Sequence, residues 1–261
     1  MDTLAYVFAG FGVGTLVGLT GVGGGSLMTP LLIFLFGIAP VTAVGTDLMF
    51  ASITKATGIW HHKRRNNIRW DIAGLMLAGS LPTSIVVVYY MGRFKDAGAE
   101  LDLVIHTGLG VALILTAFSL LFKARVQGLG RKVRDWLPNW QSLRPAATVG
   151  AGVVLGILVP ISSIGAGALG AAMLLFLYPS LPTRRIVGTD IAHAVPLTLV
   201  AGLGHVQMGT VDFTMLSILL IGSLPGIYLG SHLTTTVPER VIRPLLASVL
   251  ILIGVKFMFA V

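Results

Sequence analysis

The stretch "GVGGGSLMTPLLIFLFGIAP", residues 21–40, returns in altered form as "SIGAGALGAAMLLFLYPSLP", residues 163–182, at an offset of 142. A few residues later Val44-Gly45-Thr46-Asp47 is repeated as Val187-Gly188-Thr189-Asp190, now at an offset of 143. "GSLPT" at 79–83 and "GSLPG" at 222–226 keep that register, and so do His62 and His205. Four landmarks in one order make chance a poor explanation. The chain reads as one unit written twice, over residues 1–122 and 146–261, joined by a basic linker at 123–145.

The surrounding composition says what the unit is made of. Of 261 residues, 55% are hydrophobic and 11% charged, and the mean hydropathy is +0.90. Soluble domains carry about 25% charged residues, so this chain cannot cover its own surface with polar groups. Runs such as 72–91, 103–122, 213–229 and 241–261 are long and nearly uncharged. About 20 helical residues cross a hydrocarbon core of about 30 Å. The expected fold is an all-α polytopic membrane protein, with segments near 3–20, 26–38, 41–60, 71–91, 102–122, 146–162, 168–179, 183–203, 213–231 and 241–260. Segments 26–38 and 168–179 are short for a crossing, so eight full spans plus two partial ones is an alternative. Five segments per unit, if all cross, turn the second unit upside down relative to the first, an architecture common among secondary transporters.

The distribution of Lys and Arg tests this alternation. Fourteen fall in connections assigned to one side: Lys63, Arg64, Arg65, Arg69, six from Lys123 to Arg144, Arg184, Arg185, Arg240 and Arg243. Arg93 and Lys95 alone fall on the other. That bias predicts cytoplasmic basic loops and both termini outside, and it explains the net charge of +8 without a nucleic-acid partner. The linker, with Trp136 and Trp140, reads as an interfacial stretch on anionic headgroups. No cysteine is present, so disulfides and thiolate metal sites are excluded, and no cofactor or metal is expected. The acidic start "MDTLAYVFAG" does not resemble a signal peptide, so the first segment is read as a retained span.

Glycine is used in two ways. Gly10, Gly14 and Gly18, like Gly222, Gly226 and Gly230, are four residues apart, the spacing that lets helices approach. Gly23, Gly24 and Gly25 before Ser26, and Gly165 and Gly167 after Ser163, instead suggest helix breaks inside the membrane, tolerated only where protein or a wet cavity surrounds them. Amides at such a half-helix start favour an anion. These residues, with the Thr46 and Thr189 hydroxyls, are the candidate substrate ligands.

Asp47 and Asp190 are the costly residues. A charge at the centre of a spanning helix costs about 2.5–3.5 kcal/mol on insertion scales, and such a group is a functional candidate by default. Two plainer roles compete: capping a second helix after a break at Gly45-Thr46, and packing as a neutral, hydrogen-bonded carboxyl. Thr54, seven residues after Asp47, lies on nearly the same helix face with Lys55 beside it, whereas the counterpart of Lys55 in the second unit is Thr198. His193 lies one turn after Asp190. Asp47, Lys55, Asp190 and His193 are therefore candidates for ion or proton coupling. His61 and His62 fall on the basic loop and are expected to be solvated.

The stretches "GVGGGSLMTPLL", "AVGTDLMFASITKATGIWHH", "NNIRWDIAGLMLAGSLP", "VGTDIAHAVPLTLVAGLGHVQMGTVDF", "GSLPGIYLGS" and "VPERVIRPLLASVLILIGVKFMFAV" together resemble the TauE/SafE sulfite exporter family, also called the toluene-sulfonate uptake permease family. The resemblance covers nearly the whole chain. It implies a bacterial inner-membrane carrier of small sulfur-containing or carboxylate anions, not an enzyme. Many members have Ser where this chain has Asp47 and Asp190. A secondary carrier is the leading expectation, and no Walker A sequence supplies ATP chemistry. A non-transporting sensor or assembly protein, or a hydrolase built on Ser26 and His193, are the alternatives.

Overall fold

The apolar runs fold as helices because a backbone in lipid must satisfy its own hydrogen bonds. The computed structural model describes residues 2–20, 25–94, 99–233 and 239–259. Among these the helices are, in chain order, α1 Asp2–Thr20, α2 Gly25–Phe36, α3 Pro40–Arg64, α4 Trp70–Arg93, α5 Ala99–Leu121, α6 Lys123–Trp136, α7 Trp140–Ser162, α8 Ala168–Leu177, α9 Thr183–Gln207, α10 Phe213–Leu233 and α11 Glu239–Phe259. Trp70–Arg93, Leu103–Leu121, Trp140–Ser162, Thr183–Gln207 and Phe213–Gly230 are long and apolar enough to cross a membrane. The two short segments are short in the structure too, α2 with 12 residues and α8 with 10.

Two expectations are corrected. The Gly45-Thr46-Asp47 sequence does not break its helix: α3 runs unbroken for 25 residues from Pro40 at its first position. Asp47 is thus not a cap but a mid-helix side chain. His62 is not on a solvated loop. It belongs to the last turn of α3 and is half-buried, and a Cβ built on Gly188 would meet its Nδ1 at 2.9 Å. His61 is also in α3, but its side chain lies outside the described residues. The linker is mostly helical: α6 occupies 123–136, and α7 already starts at Trp140. Val126 and Val133 on α6 are half-buried, while Leu129 and Trp136 are exposed.

Helix packing is set by glycines seated on carbonyls. A Cβ added at Gly10 would lie 2.3 Å from the Leu219 carbonyl oxygen, and one at Gly222 would lie 2.0 Å from that of Val7. Gly14 sits likewise on Ser223, Gly226 on Phe11 and Gly230 on Thr15, so α1 and α10 run parallel in close contact. The pair α4 and α7 repeats this with the halves exchanged. Gly152 sits on the Met76 carbonyl, Gly156 on Ser80 and Gly79 on Val149. Only residues without a side chain permit backbones this near, where Cα–H···O contacts add to dispersion.

The central helices α3 and α9 cross antiparallel. Gly45 abuts His205, Met49 abuts Gly202, Gly58 abuts Ile191, and Gly188 abuts His62. Two hydrogen bonds lock the crossing. The Asp212 N–H donates to Thr46 Oγ1 and the Arg69 N–H donates to Thr189 Oγ1, each at 3.0 Å. Both donors immediately precede a helix, α10 and α4 respectively. Outside, α5 and α11 meet antiparallel at Gly110 and Gly254.

Gly152→Leu is expected to force α4 and α7 apart, because its Cβ would lie 2.2 Å from the Met76 carbonyl oxygen. Overpacking typically costs about 1–3 kcal/mol, and rigid backbone leaves little room for relief. A lowered thermal midpoint of the detergent-purified protein reads this out. Gly10→Leu, at the equivalent contact with Leu219, should lower it by a similar amount.

Candidate functional site

Four ionisable side chains from α3 and α9 gather where these helices cross, against the break between α7 and α8. Asp47 and His193 are fully buried, and Lys55 and Asp190 nearly so. Thr29, from α2, donates a hydrogen bond of 2.6 Å from Oγ1 to Asp47 Oδ2. Ser163 faces the same carboxylate, yet Ser163 Oγ and Asp47 Oδ1 close no hydrogen bond. Lys55 reaches into the break and donates from Nζ to the Ala166 carbonyl. It stands within electrostatic range of both Asp47 and Asp190. Contact ion pairs among the described residues lie elsewhere, at the exposed Arg69–Asp71 and Arg134–Asp135.

Asp190 packs against α8 so closely that a Cβ on Gly170 would lie 2.1 Å from Asp190 Oδ1. That oxygen has no hydrogen-bond partner. His193 shares a bond of 2.9 Å between Nε2 and Ser80 Oγ of α4, and its Nδ1 has no partner. Buried polar atoms without partners are rare in native proteins. Here Asp47 Oδ1, Asp190 Oδ1 and His193 Nδ1 belong to side chains within electrostatic range of one lysine, and Ser163 Oγ stands beside Asp47. They supply acceptors and donors that a small polar species or a proton could engage.

The break itself is built from unusual backbone. Ser163 ends α7 in the left-handed region at φ 56°, and Gly165 and Gly167 have φ of 114° and 147°. A side chain at either glycine would be strained. Ser162 Oγ accepts from the Ile164 N–H at 3.2 Å, so local bonds replace part of the lost ladder. The expectation was of amides presented to an anion; in this copy a carbonyl is presented to an ammonium. Gly23 and Gly24, in the matching copy, lie outside the described residues. Gly25 opens α2 and Ser26 follows it there, but the Ser26 side chain is likewise outside the description.

Thr46 and Thr189 are buried at the α3–α9 crossing, where their oxygens accept the helix-start amides of Asp212 and Arg69. His205 is satisfied on both nitrogens, by Thr210 Oγ1 at 2.9 Å and the Pro160 carbonyl at 3.0 Å. Its repeat partner His62 occupies the matching place beside Gly188. No His/Cys/Asp/Glu cluster able to hold a metal occurs among the described residues.

Sequence reasoning missed Thr29, Ser80, Ala166 and Gly170. Ser80 did carry a signal, since it belongs to the repeated "GSLP" block. Thr29 and Gly170 have none: their repeat counterparts are Ala171 and Met28.

Comparisons with known proteins cover nearly the whole chain. A family model described as sulfite exporter TauE/SafE matches residues 6–257. The probable membrane transporter protein YjnA of Bacillus subtilis is 38% identical over 97% of this chain and 99% of its own. YdhB of the same organism, also named a probable membrane transporter protein, is 30% identical over 89% and 91% of the two chains. A third so named, MJ0441 of Methanocaldococcus jannaschii, is 26% identical over 95% and 92%. No solved structure matches.

Proposed function

The chain belongs to the sulfite exporter TauE/SafE family of multi-pass membrane transporters, and on that premise we propose that it is a secondary carrier of small sulfur-containing or organic anions, coupled to protons. Sulfite, sulfonates and small carboxylates are the substrate class. The observation that carries the reading is Lys55, buried within electrostatic range of both Asp47 and Asp190 at the crossing of α3 and α9.

Charge counting supplies the mechanism. One ammonium beside two ionised carboxylates leaves the cluster with a net negative charge, which repels an anion. A proton on one carboxylate cancels that charge, and a second leaves Lys55 as a net cation. Proton uptake therefore prepares the site for an anion, and anion arrival favours proton uptake. This is thermodynamic linkage between two ligands of one site. A desolvated site strengthens it, because charges interact far more strongly away from water. Thr29 holds one carboxylate, and Ser80 orients His193 beside the other. The Ser163–Gly167 break supplies backbone ligands, with Gly23, Gly24, Gly25 and Ser26 as the corresponding residues of the first half and Thr46 and Thr189 at the crossing.

The architecture we propose is two inverted five-helix repeats with ten membrane segments in the bacterial inner membrane. Basic connections are cytoplasmic and both termini outside. The exchanged glycine contacts, the antiparallel α3–α9 and α5–α11 pairs, and the reciprocal Thr46 and Thr189 bonds support the inversion. Alternating access then comes from one bundle rocking against the other about that crossing.

The test is flux into proteoliposomes under an imposed pH gradient, offering sulfite, a sulfonate and a small carboxylate in turn. Anion accumulation in the direction of the proton gradient is expected for at least one of them. Uptake of none, or uptake indifferent to the gradient, overturns the reading.

A further inference from the structure

An apolar groove of about 530 Å³ runs between α5, α7 and α8, with Val126 of α6 also in its lining. Phe118, Phe122, Val126, Ala151, Ala172 and Phe176 are among the residues that line it. Phe118 and Phe122 stack with centroids 5.8 Å apart, making one wall flat and rigid. Ser119 is the one polar side chain in the lining, and its hydroxyl is turned back to the Thr116 carbonyl at 2.7 Å. Such a groove offers a guest dispersion and little else.

Its roof is different. α6, which carries Lys123, Arg125, Arg131, Lys132 and Arg134 against the single acid Asp135, is fixed over one end of the groove. Gly130 sits on the Phe176 carbonyl, where a Cβ would lie 2.1 Å away. Gln127 Nε2 donates to the Pro179 carbonyl at 2.9 Å, and Arg134 Nη1 donates to Ser180 Oγ at 2.8 Å. This leaves Arg125 exposed at the rim, its guanidinium 5.1 Å from the Phe122 ring centroid. Arg131 and Lys132 are exposed on the same short helix, and Trp136 at its end is 82% exposed. An exposed Trp beside exposed cations is the composition of a helix lying at the headgroup level.

A guest that fills the groove and also meets the roof needs an aliphatic chain and an anionic group. We infer that α5, α6, α7 and α8 together form a binding site for one anionic phospholipid, acyl chain in the groove and phosphate at Arg125. The inference needs only that the chain sits in a bilayer, and it is independent of the transport reading. It has a structural consequence, since one wall of the groove is α8, whose Gly170 abuts Asp190. A bound lipid therefore braces the half-helix from behind.

The experiment is native mass spectrometry of the full chain in detergent, after addition of phosphatidylglycerol or phosphatidylcholine with identical acyl chains. Retention of phosphatidylglycerol over phosphatidylcholine is expected. Arg125→Gln should weaken that retention about fivefold, the worth of one basic residue at an anionic surface, while Arg125→Lys should keep it. Ala151→Phe, which fills the groove, should lower retention of both lipids. Because Arg125 is exposed, its variants should keep the wild-type thermal midpoint. Equal retention of the two lipids by the wild type, or retention unchanged in both Arg125→Gln and Ala151→Phe, overturns the proposal.

Discussion

Lys55→Met is expected to lower anion flux at least about 100-fold and to destabilise the protein as well. Lys55 is the cation nearest both buried carboxylates, and its Nζ also satisfies the Ala166 carbonyl in the α7–α8 break. Removing one member of a buried charged group typically costs about 3–5 kcal/mol, chiefly because the remaining charge loses its partner. A factor of ten corresponds to about 1.4 kcal/mol, so two decades of flux is the lower end of that range. Loss of stability alone could produce the same loss of flux, and a second variant separates the two. In Lys55→Met/Asp190→Asn the cluster loses one charge of each sign. If Lys55 only balances the carboxylates, the double variant should regain both thermal midpoint and flux read as exchange of labelled anion, the activity that Asp190→Asn alone retains. If Lys55 is the counter-charge of the transported anion, the midpoint should recover and flux should not. Recovery of both sinks the substrate role assigned to Lys55.

Which parts of this arrangement were legible in the chain follows from what a repeat can encode. Contacts made twice leave two matching marks. Gly10 and Gly152, Gly79 and Gly222, and Thr46 and Thr189 all sit at corresponding positions, and the structure uses each pair in equivalent ways. The glycine spacing and the duplicated aspartate were therefore readable. Contacts made once leave no such mark. Thr29 bonds Asp47, but the matching position is Ala171, and Asp190 instead meets Gly170, where the first half has Met28. The two copies of the aspartate are held differently although their own sequence is the same. His62 was misread because Lys63, Arg64 and Arg65 follow it. The helix continues into that basic run, so one face of its last turn still packs against Gly188. The helix at 123–136 was hidden for a related reason: its charges mark the exposed side, while Gly130 and Gln127 bind it to the end of α8.

That difference between the two aspartates makes the largest functional prediction unequal as well. Asp47 accepts a hydrogen bond of 2.6 Å from Thr29, and an Asn side chain there keeps an oxygen for the same donor. Asp47→Asn should thus fold normally and lose about tenfold in flux, as one charge-assisted bond becomes a neutral one. Asp190 has an oxygen with no donor, pressed against Gly170, and it shares α9 with His193. It has fewer fixed partners to lose and is the freer of the two to exchange a proton. In Asp190→Asn the cluster can no longer gain or lose charge at that position. Gradient-driven accumulation should fall to background, while exchange of labelled anion across the membrane persists. Measured in proteoliposomes with an inward proton gradient, the wild type should accumulate anion and Asp190→Asn should only equilibrate it. Should both Asn variants accumulate anion as the wild type does, the carboxylates do not carry the coupling proton. The duplicated aspartate would then be a packing device for the α3–α9 crossing, and His193, buried against Ser80, would be the next group to test for the coupling proton.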